Sequence, residues 1–278
     1  MLESFYFLFK VDSKEKNLVI THSDFWPNMI FSYFLKKKNE NFIVWSPILH
    51  MRSPNLFKGF KYNFVKNKIV LPNFNLIHYY LNQKIFFRLI KKADFIMTVN
   101  DSYIDYIKKF NKNVLLINLA ADSYFYKNQI ISTSFDEKKY DACFIGRFHE
   151  QKGIFEIPYI VKYIVDLGYN NFKMAIVGDY NNSIGCKVIE MIKQFELDKN
   201  IEFLGFKTNL DKYNIINDSK FLFFPSYYES FGIVYLEAIS LGVPVFEYDL
   251  PIYNMHCNGA IKIKFLDNKE WAIKFMDI

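Results

Sequence analysis

Short apolar runs alternate with longer segments of helical periodicity along most of the chain. In the first half, residues 17–21, 42–45, 93–100 and 114–117 read as strands, with a shorter one at 69–71 ahead of Pro72. Residues 29–35, closed by Lys36, Lys37 and Lys38, together with 76–90 and 103–110, read as helices. Ser46 and Pro47 read as the start of a loop, and residues 50–61 as a longer one. In the second half, strands are expected at 140–146, 172–177, 201–204, 221–224 and 243–246. Helices are expected at 154–167, 184–195, 209–216 and from about Ser230 to Leu241. The pattern predicts an α/β chain of two doubly wound, parallel-sheet domains, residues 1–128 and 129–278, joined through a polar stretch at 129–139. Ligands of such sheets sit at the carboxyl ends of the strands. Arg147, Lys152, Gly205 and Glu229 all follow strands at that edge.

Composition narrows the class. With 278 residues and 51% hydrophobic content, the chain can bury two cores and is not disordered. Aromatic residues reach 19%, which together with frequent Lys, Asn and Ile reads first as a coding bias. The net charge of +6 is uneven: residues 1–134 carry +10 and the remainder −4. A basic first half fits either an anionic partner or surface, or simply a solvated basic face. No nucleic-acid reading motif accompanies it, so no nucleic-acid partner is expected. Cys143, Cys186 and Cys257 form no close pair and read as reduced thiols of a cytoplasmic protein. The histidines His22, His50, His78, His149 and His256 lack metal-ligand spacing, so no metal is expected. No apolar run reaches the ~18 residues of a spanning helix.

The most informative stretch is 224–245, Phe-Pro-Ser-Tyr-Tyr-Glu-Ser-Phe-Gly-Ile-Val-Tyr-Leu-Glu-Ala-Ile-Ser-Leu-Gly-Val-Pro-Val. Glu229 precedes the predicted helix and Glu237 lies within it. At ~100° per residue, eight helical steps return to within about 80° of the start, so both carboxylates can reach one ligand. Backbone N–H groups of Phe231, Gly232 and Ile233 at the helix start favour an anion. Carboxylates accept from sugar and ribose hydroxyls. Taken together, these features describe a pocket for something that carries both phosphate and polyol, or else a capped helix with solvated acids.

The stretch Ser-Tyr-Tyr-Glu-Ser-Phe-Gly-x-x-x-Leu-Glu-Ala-x-x-x-Gly-x-Pro-Val resembles the nucleotide-sugar signature of retaining glycosyltransferases of family 4 (glycosyl transferases group 1), which have the GT-B fold of two Rossmann-like domains. Gly146-Arg-x-x-x-x-Lys152-Gly is similar to that family's diphosphate-binding loop. Lys92-Ala-Asp-Phe-Ile-Met-Thr-Val-Asn-Asp and Asn118-Leu-Ala-Ala-Asp122 resemble the late first domain and the entry to its linker, although Leu119 and Ala120 stand where the family has Asn-Gly. The resemblance implies retaining transfer of a sugar from a nucleotide-diphosphate donor to a glycan or lipid-linked acceptor, without a cofactor or bound metal. Glu229 would contact donor-sugar hydroxyls and Glu237 the ribose. Gly146, Ser230, Phe231, Gly232 and Ile233 would border the donor, and Arg147 and Lys152 would neutralise its diphosphate. Gly205 and Phe206 would lie at the base. A first-domain histidine, His50 ahead of His22, would serve the transfer, while His149 would flank the phosphate loop. The basic, aromatic first domain could rest on an anionic membrane at the cytoplasmic face.

The chain also departs from the family. Nothing before Asn17 resembles the family's opening strand and Gly-rich turn, and the helix expected from Asn268 is short. Residues 249–259 lack a Gly-rich turn. A shortened first domain is therefore expected. A catalytically inactive nucleotide-sugar-binding protein, or a fragment of a larger transferase, stays open as the alternative.

Overall fold

The computed structural model describes residues 15–22, 24–50, 74–122, 129–130, 133–250, 253, 256 and 259–278. The chain divides into two compact units, Met1–Leu119 and Ala120–Ile278. In the first, β1 (Asn17–Thr21), β2 (Ile43–Leu49), β3 (Ile96–Thr98) and β4 (Val114–Leu116) form a parallel sheet in that order. Helices α1 (Trp26–Lys38), α2 (Phe74–Leu89) and α3 (Ile104–Ile107) connect them. Pro27 sits in the first turn of α1, where its missing N–H is not needed, and Lys36, Lys37 and Lys38 suit the negative end of the helix. Lys36 is buried and donates to the Ile43 carbonyl at 2.6 Å and to Asp94 Oδ1 at 2.9 Å. Asp94 Oδ2 in turn accepts the Trp45 N–H at 2.7 Å, so one ion pair fastens α1 to β2 and to the approach of β3.

Two elements differ from their sequence expectation. β2 runs on through Ser46 and Pro47 to Leu49. Pro47 opposes Thr21 of β1, and pairing with β3 begins only at Ile48, so the missing N–H falls ahead of that ladder. The helix expected over 103–110 is a 3-10 turn at Asp101–Tyr103 followed by the short α3; Asn100 caps it by accepting the Ser102 N–H at 3.0 Å. The expected strand at 69–71 lies outside the described residues.

The second unit holds a six-stranded parallel sheet of β5 (Tyr140–Ile145), β6 (Met174–Val177), β7 (Ile201–Gly205), β8 (Ser219–Phe224), β9 (Val245–Tyr248) and β10 (Ala260–Ile263), in the order β10-β9-β8-β5-β6-β7. The order reverses between β5 and β8, which is the switch point of a doubly wound sheet. The helices are α4 (Glu156–Asp166), α5 (Ser183–Gln194), α6 (Asn209–Asn217), α7 (Ile233–Ser240) and α8 (Asn268–Met276). β5 and β6 are buried along their whole length, so they read as continuous apolar runs rather than alternation. α4 buries Ile157, Ile160, Val161 and Ile164, the spacing of one helical face. α8 packs on α4 and inserts Trp271 against Phe223 (ring centroids 5.5 Å apart) and Phe275 against Phe172 (5.2 Å). Each such ring contributes roughly 1.5–3 kcal/mol on burial. β10 is the strand that the sequence reading omits. Ala260, Ile261 and Lys262 remain half-exposed at the sheet edge, so the apolar signal is weak.

Candidate active site

At the switch point two loops meet. After β5 the chain passes through Gly146 and Arg147 into a 3-10 turn at Glu150–Lys152. His149 caps that turn, its Nδ1 accepting the Gln151 N–H at 3.2 Å. The turn closes on Gly153, with φ +68°. A Cβ there would stand 1.9 Å from the Pro225 carbonyl oxygen, so only glycine lets the loop approach the chain leaving β8. Tyr227 N–H donates to the Gln151 carbonyl at 2.8 Å, and Gln151 Nε2 donates to the Tyr228 carbonyl at 2.6 Å. The loops after β5 and β8 are thereby tied into one frame.

The second loop carries the acids. α7 begins at Ile233, not near Ser230, because Gly232 adopts φ +84° and a left-handed residue ends any helical path through it. The direction of Glu229 is therefore set by its loop and by Lys152, whose Nζ it binds, rather than by helical phase. Glu229 is 7% and Glu237 5% exposed. Glu237 Oε1 accepts from Lys212 Nζ at 2.6 Å and from the Tyr213 hydroxyl at 3.3 Å. Its Oε2 is buried and has no hydrogen-bond partner among the described residues. Buried polar atoms are nearly always satisfied, so this oxygen retains an unused capacity to accept from an O–H or N–H donor.

A cavity of about 960 Å³ opens beside these groups, lined by Gly146, Arg147, His149, Lys152, Asp179, Asn182, Phe206, Lys207 and Lys212 among others. Lys152 and Lys212 are paired with Glu229 and Glu237, and Arg147 and Lys207 add positive charge that Asp179 only partly offsets, which favours an anionic occupant. Phe206 follows Gly205 (φ +72°) and is 73% exposed, a bare aromatic surface at the cavity wall. Gly146, Arg147, Lys152 and Phe206 thus line the cavity directly, while Glu229 and Glu237 are held to it through Lys152 and Lys212. Ser230 and Phe231 lie in the loop before α7, and Ile233, at the start of that helix, is exposed. Sequence reasoning missed Lys207, Lys212, Asp179 and Asn182. Their signal was position alone, since all of them follow β6 or β7 at the same carboxyl edge.

In the first unit, His22 follows β1 and His50 follows β2. His50 Nε2 lies 2.7 Å from the His22 carbonyl oxygen, so Nε2 carries the proton. Nearby, Asp24 Oδ2 accepts from Gln83 Nε2 at 3.0 Å and from the Tyr79 hydroxyl at 3.4 Å. Burial pushes the Asp24 carboxyl above its ordinary range. Burial also raises the Tyr79 phenol, helped by the Asp24 charge. Among the described residues no group of three or more His, Cys, Asp and Glu is placed to hold a metal ion. No helix among them is long and apolar enough to cross a membrane.

Comparison with known proteins adds to this geometry. Residues 126–255 match the family described as glycosyl transferases group 1. An uncharacterized 41.2 kDa protein in the cps region of Klebsiella pneumoniae is 33% identical over 110 residues, covering 39% of this chain and 27% of that protein. The uncharacterized glycosyltransferase MJ1059 of Methanocaldococcus jannaschii is 27% identical over 247 residues, covering 84% of this chain and 55% of the relative. The chain therefore spans about half or less of the length of these relatives. Among solved structures, a TarM mutant of S. aureus in complex with fondaparinux, alpha-GlcNAc-glycerol and UDP superposes with a TM-score of 0.70 at 16% identity, covering 99% of this chain and 50% of that one. The fold is that of the GT-B glycosyltransferases.

Proposed function

We propose that the chain transfers a sugar from a nucleotide-diphosphate sugar to a glycan or lipid-linked acceptor, with retention at the transferred carbon and without a cofactor or protein-bound metal. The observation that carries the reading is Glu237, whose Oε2 has no partner among the described residues and whose Oε1 holds Lys212 of a cavity also lined by Arg147, Lys152 and Lys207. A polyol donor group would satisfy the oxygen, and a diphosphate would satisfy the cations. The match of residues 126–255 and the UDP named in the TarM structure support the same donor class.

The chemistry assigned to the residues follows from charge. As the bond from the sugar carbon to the phosphate oxygen breaks, negative charge builds on the diphosphate. Arg147 grips two oxygens and Lys152 supplies a compact charge, both more strongly in the transition state than before it. For Lys152 to do so it leaves Glu229, whose carboxylate then accepts from donor-sugar hydroxyls. Phe231, Gly232 and Ile233 offer backbone N–H groups. Phe206 serves as a surface on which a base can stack. The acceptor oxygen bonds to the same face of the sugar, and its proton passes to the departing phosphate oxygen. In the first unit His50 is assigned to the transfer.

Release of nucleoside diphosphate in the presence of acceptor tests this. Arg147→Ala, Lys152→Ala and Glu229→Ala are each expected to lose about 2–4 kcal/mol of transition-state stabilisation, some 30- to 1000-fold in turnover. Wild-type turnover in all three would remove the assignment. We also propose peripheral contact with an anionic membrane at the cytoplasmic face, through exposed Phe34 of α1 and Leu81 of α2 with nearby Lys37, Lys38 and Lys84. Flotation should show salt-sensitive binding to vesicles containing phosphatidylglycerol. Equal binding to neutral vesicles would remove that part.

A further inference from the structure

Behind the loop that carries Glu229 lies a buried polar chain that the donor reading leaves unused. Glu247 of β9 is fully buried and His256 is 2% exposed. Lys262 of β10 binds Glu247 Oε1 and also donates to the Tyr253 carbonyl at 2.9 Å. His256 Nδ1 lies 2.8 Å from Glu247 Oε2, and its Nε2 lies 2.8 Å from the Phe231 carbonyl oxygen. The imidazole is sandwiched between two tyrosines: Tyr235 of α7 at 3.7 Å and 4°, and Tyr253 at 5.2 Å and 10°. Phe231 meets the ring edge-on at 6.2 Å. A Cβ at Gly232 would stand 3.2 Å from His256 Cε1, so the left-handed turn rests on the imidazole.

Both ring nitrogens thus face acceptors. A neutral imidazole has one N–H, and either tautomer would set a lone pair against the carboxylate or the carbonyl. The imidazolium satisfies both. Lys262 holds the other carboxylate oxygen. Among the described residues, the charged and titratable groups that face His256 are Glu247 from β9, with Lys262 from β10 behind it, Tyr235 from α7 and Tyr253 from the segment between β9 and β10. Electron-rich tyrosine faces on both sides suit a cation. In a trans peptide the N–H points opposite to the carbonyl. With its carbonyl tied to His256, the Phe231–Gly232 peptide has one orientation, and the Gly232 N–H is directed away from the core.

We propose that doubly protonated His256, held between Glu247 and the Phe231 carbonyl, is a positioning residue that fixes the Phe231–Gly232 peptide for the sugar portion of a nucleotide-diphosphate sugar. The proposal rests on the donor reading above. Loss of either contact would free the peptide, so the sugar-dependent part of the affinity should fall. Contacts to the nucleotide itself, through Arg147 and Glu237, should not follow it.

Two measurements on the full chain test this. In the unliganded protein, nitrogen NMR of the His256 ring should show both nitrogens protonated at neutral pH; a single-proton tautomer would overturn the proposal. Calorimetric affinities for UDP-glucose and GDP-mannose are then compared with those for UDP and GDP, in wild type and in His256→Phe, which keeps an aromatic ring in the stack. For whichever pair binds, the variant should lose about tenfold toward the sugar nucleotide, as for one charge-assisted hydrogen bond, and at most about twofold toward the free diphosphate. An equal loss toward both ligands would overturn the proposal and leave His256 a packing residue. If none of the four compounds binds the wild type, the donor reading fails for both bases, and the ring protonation still decides whether the clamp exists.

Discussion

Glu237 is the residue on which the chemistry turns. One of its oxygens is held by Lys212 and Tyr213, and the other is buried without a partner among the described residues. Such an oxygen costs about 1–3 kcal/mol until a donor reaches it, which is a direct reason to bind a hydroxyl. Glu237→Gln keeps the volume and turns one acceptor into a donor. It should weaken binding of a ribonucleotide donor by about tenfold or more, and affect the 2′-deoxy analogue less, in a calorimetric comparison of the two. An equal loss for both would show that Glu237 does not read the ribose. The sequence singles out Glu229 and Glu237 by their spacing around one strand–loop–helix unit, and Arg147 and Lys152 by the Gly-Arg-x-x-x-x-Lys-Gly loop after β5. The lysine on each glutamate was not. Lys152 lies 77 residues from Glu229, and Lys212 is separated from Glu237 by β8, so only the assembled sheet makes those pairs. His256 was noted only for its lack of metal-ligand spacing. A lone histidine in a stretch without a Gly-rich turn gives no hint of a buried partner such as Glu247.

At the scale of elements, the decisive feature is the contact between the two loops at the switch point. Gly153 meets Pro225 where a side chain would overlap the carbonyl, and its backbone is left-handed. Gly153→Ala should therefore destabilise the second unit by roughly 1–3 kcal/mol or more and pull Gln151 away from Tyr227 and Tyr228. Thermal melting and nucleotide affinity should fall together in this variant; unchanged values for both would mean that the loops are not held by this contact. Strands and helices of the second unit were readable because β5, β6 and β8 are dense apolar runs and α4 has a clean buried face. The start of α7 was misplaced by about one turn, since Phe231 and Gly232 suit a helical first turn in sequence while the left-handed Gly232 delays it. β10 escaped notice because a half-exposed edge strand needs little hydrophobicity.

At the scale of the whole molecule, charge and candidate chemistry are divided between the units. The first half carries the positive excess, and the second holds the cavity with its two lysine-paired glutamates. The parallel α/β class of both was legible from the alternation of apolar runs and helical segments. The reversal of strand order was not, because register and crossover direction depend on contacts between distant strands. The central claim is that the cavity of the second unit binds a nucleotide-diphosphate sugar. Thermal melting of the full chain against a panel of nucleotide sugars, with and without a divalent metal or chelator, tests it most directly. One donor at about 100 times its dissociation constant should add ~2.7 kcal/mol and raise the melting temperature by several degrees, equally with and without metal, and Arg147→Ala should abolish the shift. No shift with any donor, or the same shift in Arg147→Ala, would contradict the account.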